Sequence, residues 1–443
     1  INNSSGLTGG GIYLNNSTIN ASNLNISNNS ADQEGGDTDY GQGLGGGVFA
    51  SSSDLNIDNC SINSNYANQR GGGLYVVEYS NLNIIDSSVS GNQAKNDVGG
   101  AIELNRSDGH VESCVISANS ASNTSGIAVI SESSLNVIKT AFYDNNSYEF
   151  GRGVLHIHAD SDAYAENITV SHNYSADHIL SPTNDGSTLV IKNSILANNQ
   201  FEDSLIGNDD EDFSSNVYYD ALDVRFSNIQ GGWSGAHNIN KEPLFSNYEN
   251  RDFTLQSTSP CIDTGDPSSP LDPDGTRADM GAYPFFHVYG CTDTQADNFD
   301  TEANTNDGSC MYRYSIPLQS GQNLVSFLDL PEDNSILSTL SSVNSAQSVI
   351  SQGEAANNLS GIGWVGSLIN FSLEKGYWLK VNASDEYSIL VDHPPQCNNI
   401  AYNLQAGPNL ISFSCPGQYS LNEAIPEELQ PFITGIVGQG QAA

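Results

Sequence analysis

The sequence predicts an all-β chain built mainly as a parallel β-solenoid, and three observations carry that prediction. A glycine-rich phrase recurs: GGGIYL (Gly9 to Leu14), GGGVFA (Gly45 to Ala50), GGGLYV (Gly71 to Val76), GGAIEL (Gly99 to Leu104), SGIAV (Ser125 to Val129) and GRGVLH (Gly151 to His156). Each repeat ends in an apolar residue, two spacers and an asparagine, giving Asn29, Asn65, Asn92, Asn119, Asn145, Asn173 and Asn199 at intervals of 36, 27, 27, 26, 28 and 26 residues. Within each repeat the apolar residues alternate at a spacing of two, as in Ile12/Leu14, Leu55/Ile57 and Leu82/Ile84, which is the period of a strand and not of a helix.

Each element of the repeat has a physical reason. The residues between the alternations are Asn, Ser, Gly and Asp, which favour turns and disfavour helices. Glycine suits a corner needing positive φ or close backbone approach. Stacked coils about 4.8 Å apart complete one another's backbone hydrogen bonds. The repeated asparagines are then expected to form an internal ladder of side-chain amides. The long first interval holds an acidic insertion, Asp32 to Leu44.

Gly99-Gly100-Ala101-Ile102 and Phe142-Tyr143-Asp144-Asn145 resemble the right-handed parallel β-helix repeat of the polymorphic outer-membrane proteins and other large bacterial surface proteins. The same superfold includes the pectate lyases. The resemblance covers residues 1–286 and implies a right-handed coil. It says little about activity, because one architecture hosts adhesins, lyases, hydrolases and passive stalks.

Composition narrows the partners. Thirteen Lys and Arg stand against 52 Asp and Glu, for a formal net charge of −39. That argues against nucleic acid and anionic membrane surfaces and suits divalent cations. No apolar run is long enough for a transmembrane helix. Ile1 falls inside a coil, so the chain reads as a piece of a longer one, exported to the cell surface or beyond. Seven cysteines leave at least one unpaired. Cys60 and Cys114 fall in one inward column (Leu24, Cys60, Ser87, Cys114, Thr140, Ile168, Ser194) two coils apart, too far for a disulfide, and read as buried thiols.

The chain divides into a β-helix over 1–286, a Cys-bounded acidic module over 287–312, and a β-rich, sandwich-like module occurring twice, over 313–395 and 396–443. Regular coils run to about Gln200, followed by an acidic loop (Phe201 to Asn216) and one more coil at Ala221 to Gly232. About ten coils would span roughly 45–50 Å. The Pro-, Asp- and Gly-rich segment from Asp252 to Phe286 resembles the stretch that closes the C-terminal end of secreted β-helices, and a cap is needed to cover the last strand edge and open core. Gly290 to Tyr312 resembles a short module of secreted marine bacterial proteins, which implies a Cys291–Cys310 disulfide. LQSGQNLVSF (Leu318 to Phe327) returns as LQAGPNLISF (Leu404 to Phe413), and SVISQGEAA (Ser348 to Ala356) as GIVGQGQAA (Gly435 to Ala443), so the second copy stops before its GYW segment. Cys397 and Cys415 flank the start of that copy and form a plausible pair.

Three candidate sites follow. Calcium is a candidate cofactor, with Asp272, Asp274 and Asp279 (near Asp263 and Asp266) in one turn-rich stretch and Asp293, Asp297, Asp300 and Asp307 in the Cys-bounded module, since hard cations take oxygen ligands from such loops. Plain Asx-turns explain the same residues. Alternation points Tyr13, Phe49 and Tyr75 outward on one face, a platform for sugar rings or a partner protein; a sheet-stabilising stack, or a floor under the acidic insertion, is the alternative. For catalysis, His156, His158 and Asp160 lie on one strand, with His172 and His178 following; histidines at i and i+2 share a face, although surface histidines are the plainer reading and the inward register there is ambiguous. The paired carboxylates and basic motifs of the pectin-degrading hydrolases are absent from the coils.

The function expected is adhesion or binding by an extracellular surface protein, its partners being glycans or neighbouring surface proteins, through many weak contacts along one face. The alternatives are a polysaccharide lyase or glycoside hydrolase acting on acidic polysaccharide, and a structural filament or matrix subunit.

Overall fold

A computed structural model of the chain describes residues 3–32, 43–183, 185–207, 222–397, 399–417, 419–438 and 441–442. Most of the acidic insertion (33–42), most of the acidic loop (208–216), Ala221 and part of the final GIVGQGQAA segment lie outside these residues. The chain forms two compact units, Ile1–Phe286 and His287–Ala443.

The first unit is a parallel β-solenoid with four eight-stranded parallel sheets, one strand of each per coil. Its first sheet runs from Ile12–Asn15 through Val48–Ser51, Leu74–Val77, Ile102–Asn105, Ile127–Ile130, Leu155–His158 and His178–Pro182 to Ser204–Ile206. The second starts at Thr18–Ser22 and ends at Leu222–Arg225; the third starts at Asn25–Ser27 and ends at Asn228–Ile229. A fourth, of two-residue strands from Ser4–Ser5 to Gln200–Phe201, follows the asparagines. Eight strands per sheet give about 34 Å of stack at 4.8 Å per step, shorter than the ten coils anticipated.

Register is kept from coil to coil, so like residues lie over like. Ile26, Ile62, Val89, Ile116, Phe142, Val170, Leu196 and Ile229 form one inward column, and with Leu55, Leu82, Leu104 and their equivalents they build one continuous core. The corners explain the glycines. Gly9, Gly45, Gly71 and Gly99 have φ of 63–72°, a region costly for side chains with Cβ. A Cβ on Gly46 or Gly72 would approach carbonyl oxygens of neighbouring coils to 2.4–2.6 Å.

The asparagine ladder satisfies every polar atom it buries. In each step Nδ2 donates to Oδ1 of the next asparagine at 2.9–3.0 Å, from Asn29 through to Asn199. The same Oδ1 accepts the backbone N–H of the asparagine before it. From Asn65 to Asn199 an amide hydrogen also goes back to the preceding coil, as from Asn119 to Val89 O at 2.9 Å. Gln230 closes the ladder by accepting from Asn199 N at 2.9 Å. A second ladder, of serines, runs through Ser53, Ser80, Ser107, Ser133, Ser161 and Ser187, each hydroxyl accepting the backbone N–H from the coil before. Cys60 and Cys114 occupy a third such column. Their thiols stand where Ser87 and Thr140 carry hydroxyls, each donating to a local carbonyl. Both are buried and reduced, as is Cys261, and burial pushes the Cys114 and Cys261 thiols up to about 11.

The segment expected to close the end of the stack behaves differently. Trp233 packs against the core after the last strands. Asp252 to Phe286 instead runs back along the flank of earlier coils. Arg251 forms a two-pronged pair with Asp144. Asn167 donates to Asp279 O, and Ala282 N to Thr169 Oγ1. Phe245, Phe253, Leu255, Cys261 and Met280 bury against Ile195 and Ala197. The reason is local: Tyr143, Ile195 and Ala197 occupy outward positions of the third sheet and supply apolar surface that the segment covers.

In the second unit, Cys291–Cys310 and Cys397–Cys415 are disulfides. Residues of the first copy form a five-stranded antiparallel sheet and a separate pair, Tyr312–Leu318 with Asp385–Val391, around Phe327, Phe371, Tyr377 and Tyr387. One short helix, Ile336–Thr339, is capped by Ser335. The repeated phrase makes the same turn twice: Asn323 Oδ1 accepts from Gln319 N and Nδ2 donates back to its carbonyl, and Asn409 does so with Gln405. In the second copy the following segment lies against the first copy instead of a sheet of its own, with Ser412 N donating to Glu374 O and Ser414 Oγ to Phe327 O.

Candidate functional site

The outward column of the first sheet collects two of the three sites anticipated. In register it reads Tyr13, Phe49, Tyr75, Glu103, Ala128, His156 and Ser181. The aromatic row and the histidines are therefore parts of one line, joined by a glutamate that the sequence reading missed.

The aromatic row is not an open platform. Tyr13 is 54% exposed, whereas Phe49 and Tyr75 are each 8% exposed. Leu44 and Val77 pack with these two rings, so an outward position has become a small satellite core. Tyr13 stacks on Phe49 with centroids 5.3 Å apart, and Phe49 meets Tyr75 edge-on at 5.7 Å. A sugar ring could reach Tyr13 but not the other two.

Glu103 is fully buried. Its Oε1 lies 3.0 Å from Arg70 Nη1, and Arg70 Nε lies 2.6 Å from Asp97 Oδ2. Burial pushes the Glu103 carboxyl up to about 8, against the pull of Arg70. Oε2 has no hydrogen-bond partner among the described residues. The signal available in the sequence was weak: GGAIEL is the phrase in which the outward residue is a carboxylate.

Leu155 and Ile157 face the core, which settles the register and turns His156 outward. It is nevertheless buried, not a surface histidine. Its Nδ1 lies 2.9 Å from Ser181 O and must donate there; Nε2 then accepts from Arg152 Nη1 at 3.2 Å. Burial and the nearby guanidinium hold its pKa down to about 3, so the ring is neutral across the physiological range. His158 is stacked 5.7 Å away and meets Asp185 at 2.7 Å and Thr183 at 3.1 Å. Asp185 therefore takes the place anticipated for Asp160, which is exposed at a left-handed corner (φ 55°). His172 stacks on Tyr248 in the flanking segment.

The calcium candidates accept hydrogen bonds from their own loops. Asp279 takes Asp263 N and Phe285 N, one on each oxygen, and burial raises its pKa to about 6. Asp272 accepts from Asp279 N and Asp274 from Thr276 N. In the Cys-bounded module Asp293 accepts from Tyr312 Oη, Asp297 pairs with Arg313, Asp300 accepts from Glu302 N and Asp307 from Ser309 N. Among the described residues, the group of three potential ligands lying within 4.8 Å of one another is elsewhere: Asp177, His178 and Asp203.

The outer face of the second sheet is more open. Its first column reads Thr18, Asp54, Asn81, Asp108, Ser134, Asp162 and Thr188, so a carboxylate alternates with a donor. Asn81 donates to Asp54, Ser134 to Asp108 and Thr188 to Asp162. All but Thr188 are exposed. Beside it, Asn20, Asn56, Asn83, His110 and Asn136 form a second polar column.

Among the described residues no helix is long and apolar enough to cross a membrane. No protein-family model, curated protein or solved structure matches this chain.

Proposed function

We propose that this is an extracellular surface protein whose solenoid presents a flat polar face to an extended partner, a glycan or a neighbouring surface protein. The observation that carries the reading is the second sheet's outer column, where Asp54, Asp108 and Asp162 recur on every second coil with exposed donors between them. Hydroxyl-rich polymers offer donors and acceptors at a regular pitch, and a register-locked face meets them with many weak contacts at once. The net charge of −39 favours neutral or amino-bearing glycans over polyanions. Two disulfides in the second unit suit an oxidising, exported location.

Binding to a panel of immobilised neutral, amino-bearing and acidic polysaccharides tests this. Replacing Asp54, Asp108 and Asp162 together by Ala is expected to abolish retention on whichever member is bound, with partial loss for each single change. Unaltered retention in the triple variant removes the face from consideration.

One observation favours the enzymatic alternative, hydrolysis or elimination on a polysaccharide. Glu103 has a carboxyl held up to about 8 by burial, and His156 lies two coils away in the same column; both are buried, so either would act as an acid or base only once the cover over it moved aside. New reducing ends or unsaturated uronate from any panel member, lost in Glu103→Gln, would establish it.

A further inference from the structure

We propose that Asp177, His178 and Asp203 bind a divalent transition-metal ion through one imidazole nitrogen and two carboxylates. Nothing in this proposal depends on the polar face of the second sheet.

The hydrogen-bond accounting around the imidazole points there. Ser204 Oγ is 2.8 Å from His178 Nδ1 and donates its own hydrogen to Ile206 O at 3.1 Å. A hydroxyl has one hydrogen; when it goes to Ile206 O, Ser204 Oγ accepts from Nδ1–H. Nε2 is then the nitrogen with the lone pair, and it lies 3.4 Å from Asp177 Oδ1. In that tautomer the Nε2 lone pair is available to a cation beside the carboxylate. Ligand atoms about 2.0–2.2 Å from a shared tetrahedral ion lie about 3.3–3.5 Å from one another, which matches that separation.

The ring is held for the purpose. His178 is buried, and a Cβ on Gly207 would fall 2.0 Å from its Cε1, so the imidazole rests directly on backbone. Its Nδ1–H contact to a hydroxyl is the outer-shell support that fixes the tautomer of a metal-binding histidine. Asp203 lies on the next coil, tied to Asp177 by its backbone N–H to Asp177 O at 3.3 Å. Its carboxylate is 3.5 Å from His178 Nδ1, and its side chain is 68% exposed, so it can turn towards an ion at Nε2. One atom of each residue lies within 4.8 Å of the others. An imidazole among carboxylates suits Zn2+ or its neighbours, whereas Ca2+ takes oxygen ligands alone.

Zn2+ titration by calorimetry of the whole chain, after chelator treatment, provides the test. The wild-type chain is expected to take up one Zn2+ that excess Ca2+ does not displace. Asp203→Asn, at an exposed side chain, and Ser204→Ala are each expected to weaken that uptake about tenfold or more, and His178→Gln to remove it. X-ray absorption is expected to report one nitrogen and two carboxylate ligands. Unchanged Zn2+ affinity in Asp203→Asn and Ser204→Ala would place the ion at other histidines and overturn the site. So would an absence of uptake by the wild-type chain.

Discussion

The two units hold themselves together by different means. The solenoid repeats one solution: parallel strands in register, a continuous aliphatic core, and buried ladders in which every side chain is donor and acceptor to its neighbours. Its three cysteines are reduced and buried. The second unit has antiparallel sheets around small separate cores and places both disulfides there. The contrast teaches where crosslinks are useful. A chain with a long shared core gains little from them, whereas a short module that buries few side chains depends on restricting its unfolded state.

Breaking a ladder should have the largest effect. Asn119→Ala leaves Asn92 N and Nδ2 without their acceptor and takes one donor each from Val89 O and Asn145 Oδ1, the latter keeping the backbone N–H of residue 119. We expect a loss of about 3–5 kcal/mol in urea unfolding of the solenoid, with the second unit's transition unmoved. Reduction of the disulfides should do the reverse. Losing Cys291–Cys310 is expected to cost the second unit about 3 kcal/mol and to leave the solenoid's transition where it was; coincident shifts in both would mean that the units do not unfold independently.

The smallest effect sharpens the contrast within the solenoid. His156 has a folded pKa of about 3 against 6.5 for the free side chain, so between these values the unfolded chain binds a proton that the folded chain does not. Stability is present in full above about pH 6.5 and is lost as pH falls towards 3. His156→Gln should flatten that acid limb by about one proton, read from the slope of unfolding free energy against pH. An unaltered slope would show that His156 takes up its proton in the fold.

Much of the solenoid was legible because its signals are periodic. Asn29 to Asn199 and the Cys60/Cys114 column each recur with the coil, and a repeat specifies its own neighbours. Glu103 was not legible, since outward alternation predicts exposure and cannot foresee that Arg70 and Asp97 in the preceding turn will fold over it. The same blindness applied to Phe49 and Tyr75. The path of residues 252–286 was missed for a related reason. It is decided by Tyr143, Ile195 and Ala197 on outward positions, more than 50 residues earlier, and no local pattern links the two. Asp203 meets Asp177 and His178 only because coils stack; in sequence it lies 25 residues after His178.

The asparagine ladder also has a direction. From Asn29 to Asn173 each amide donates one hydrogen to Oδ1 of the asparagine in the following coil, and no Oδ1 of the ladder accepts from an asparagine side chain of a later coil. Strand dipoles alternate and largely cancel, but seven side-chain amides linked head to tail do not; at about 3.5 D each, taking the peptide value, they contribute at most about 25 D along the stacking axis. The solenoid is therefore an oriented dipole with chemically distinct poles, independent of its net charge. Two such rods lying side by side are favoured antiparallel, and two meeting end to end are favoured head to tail.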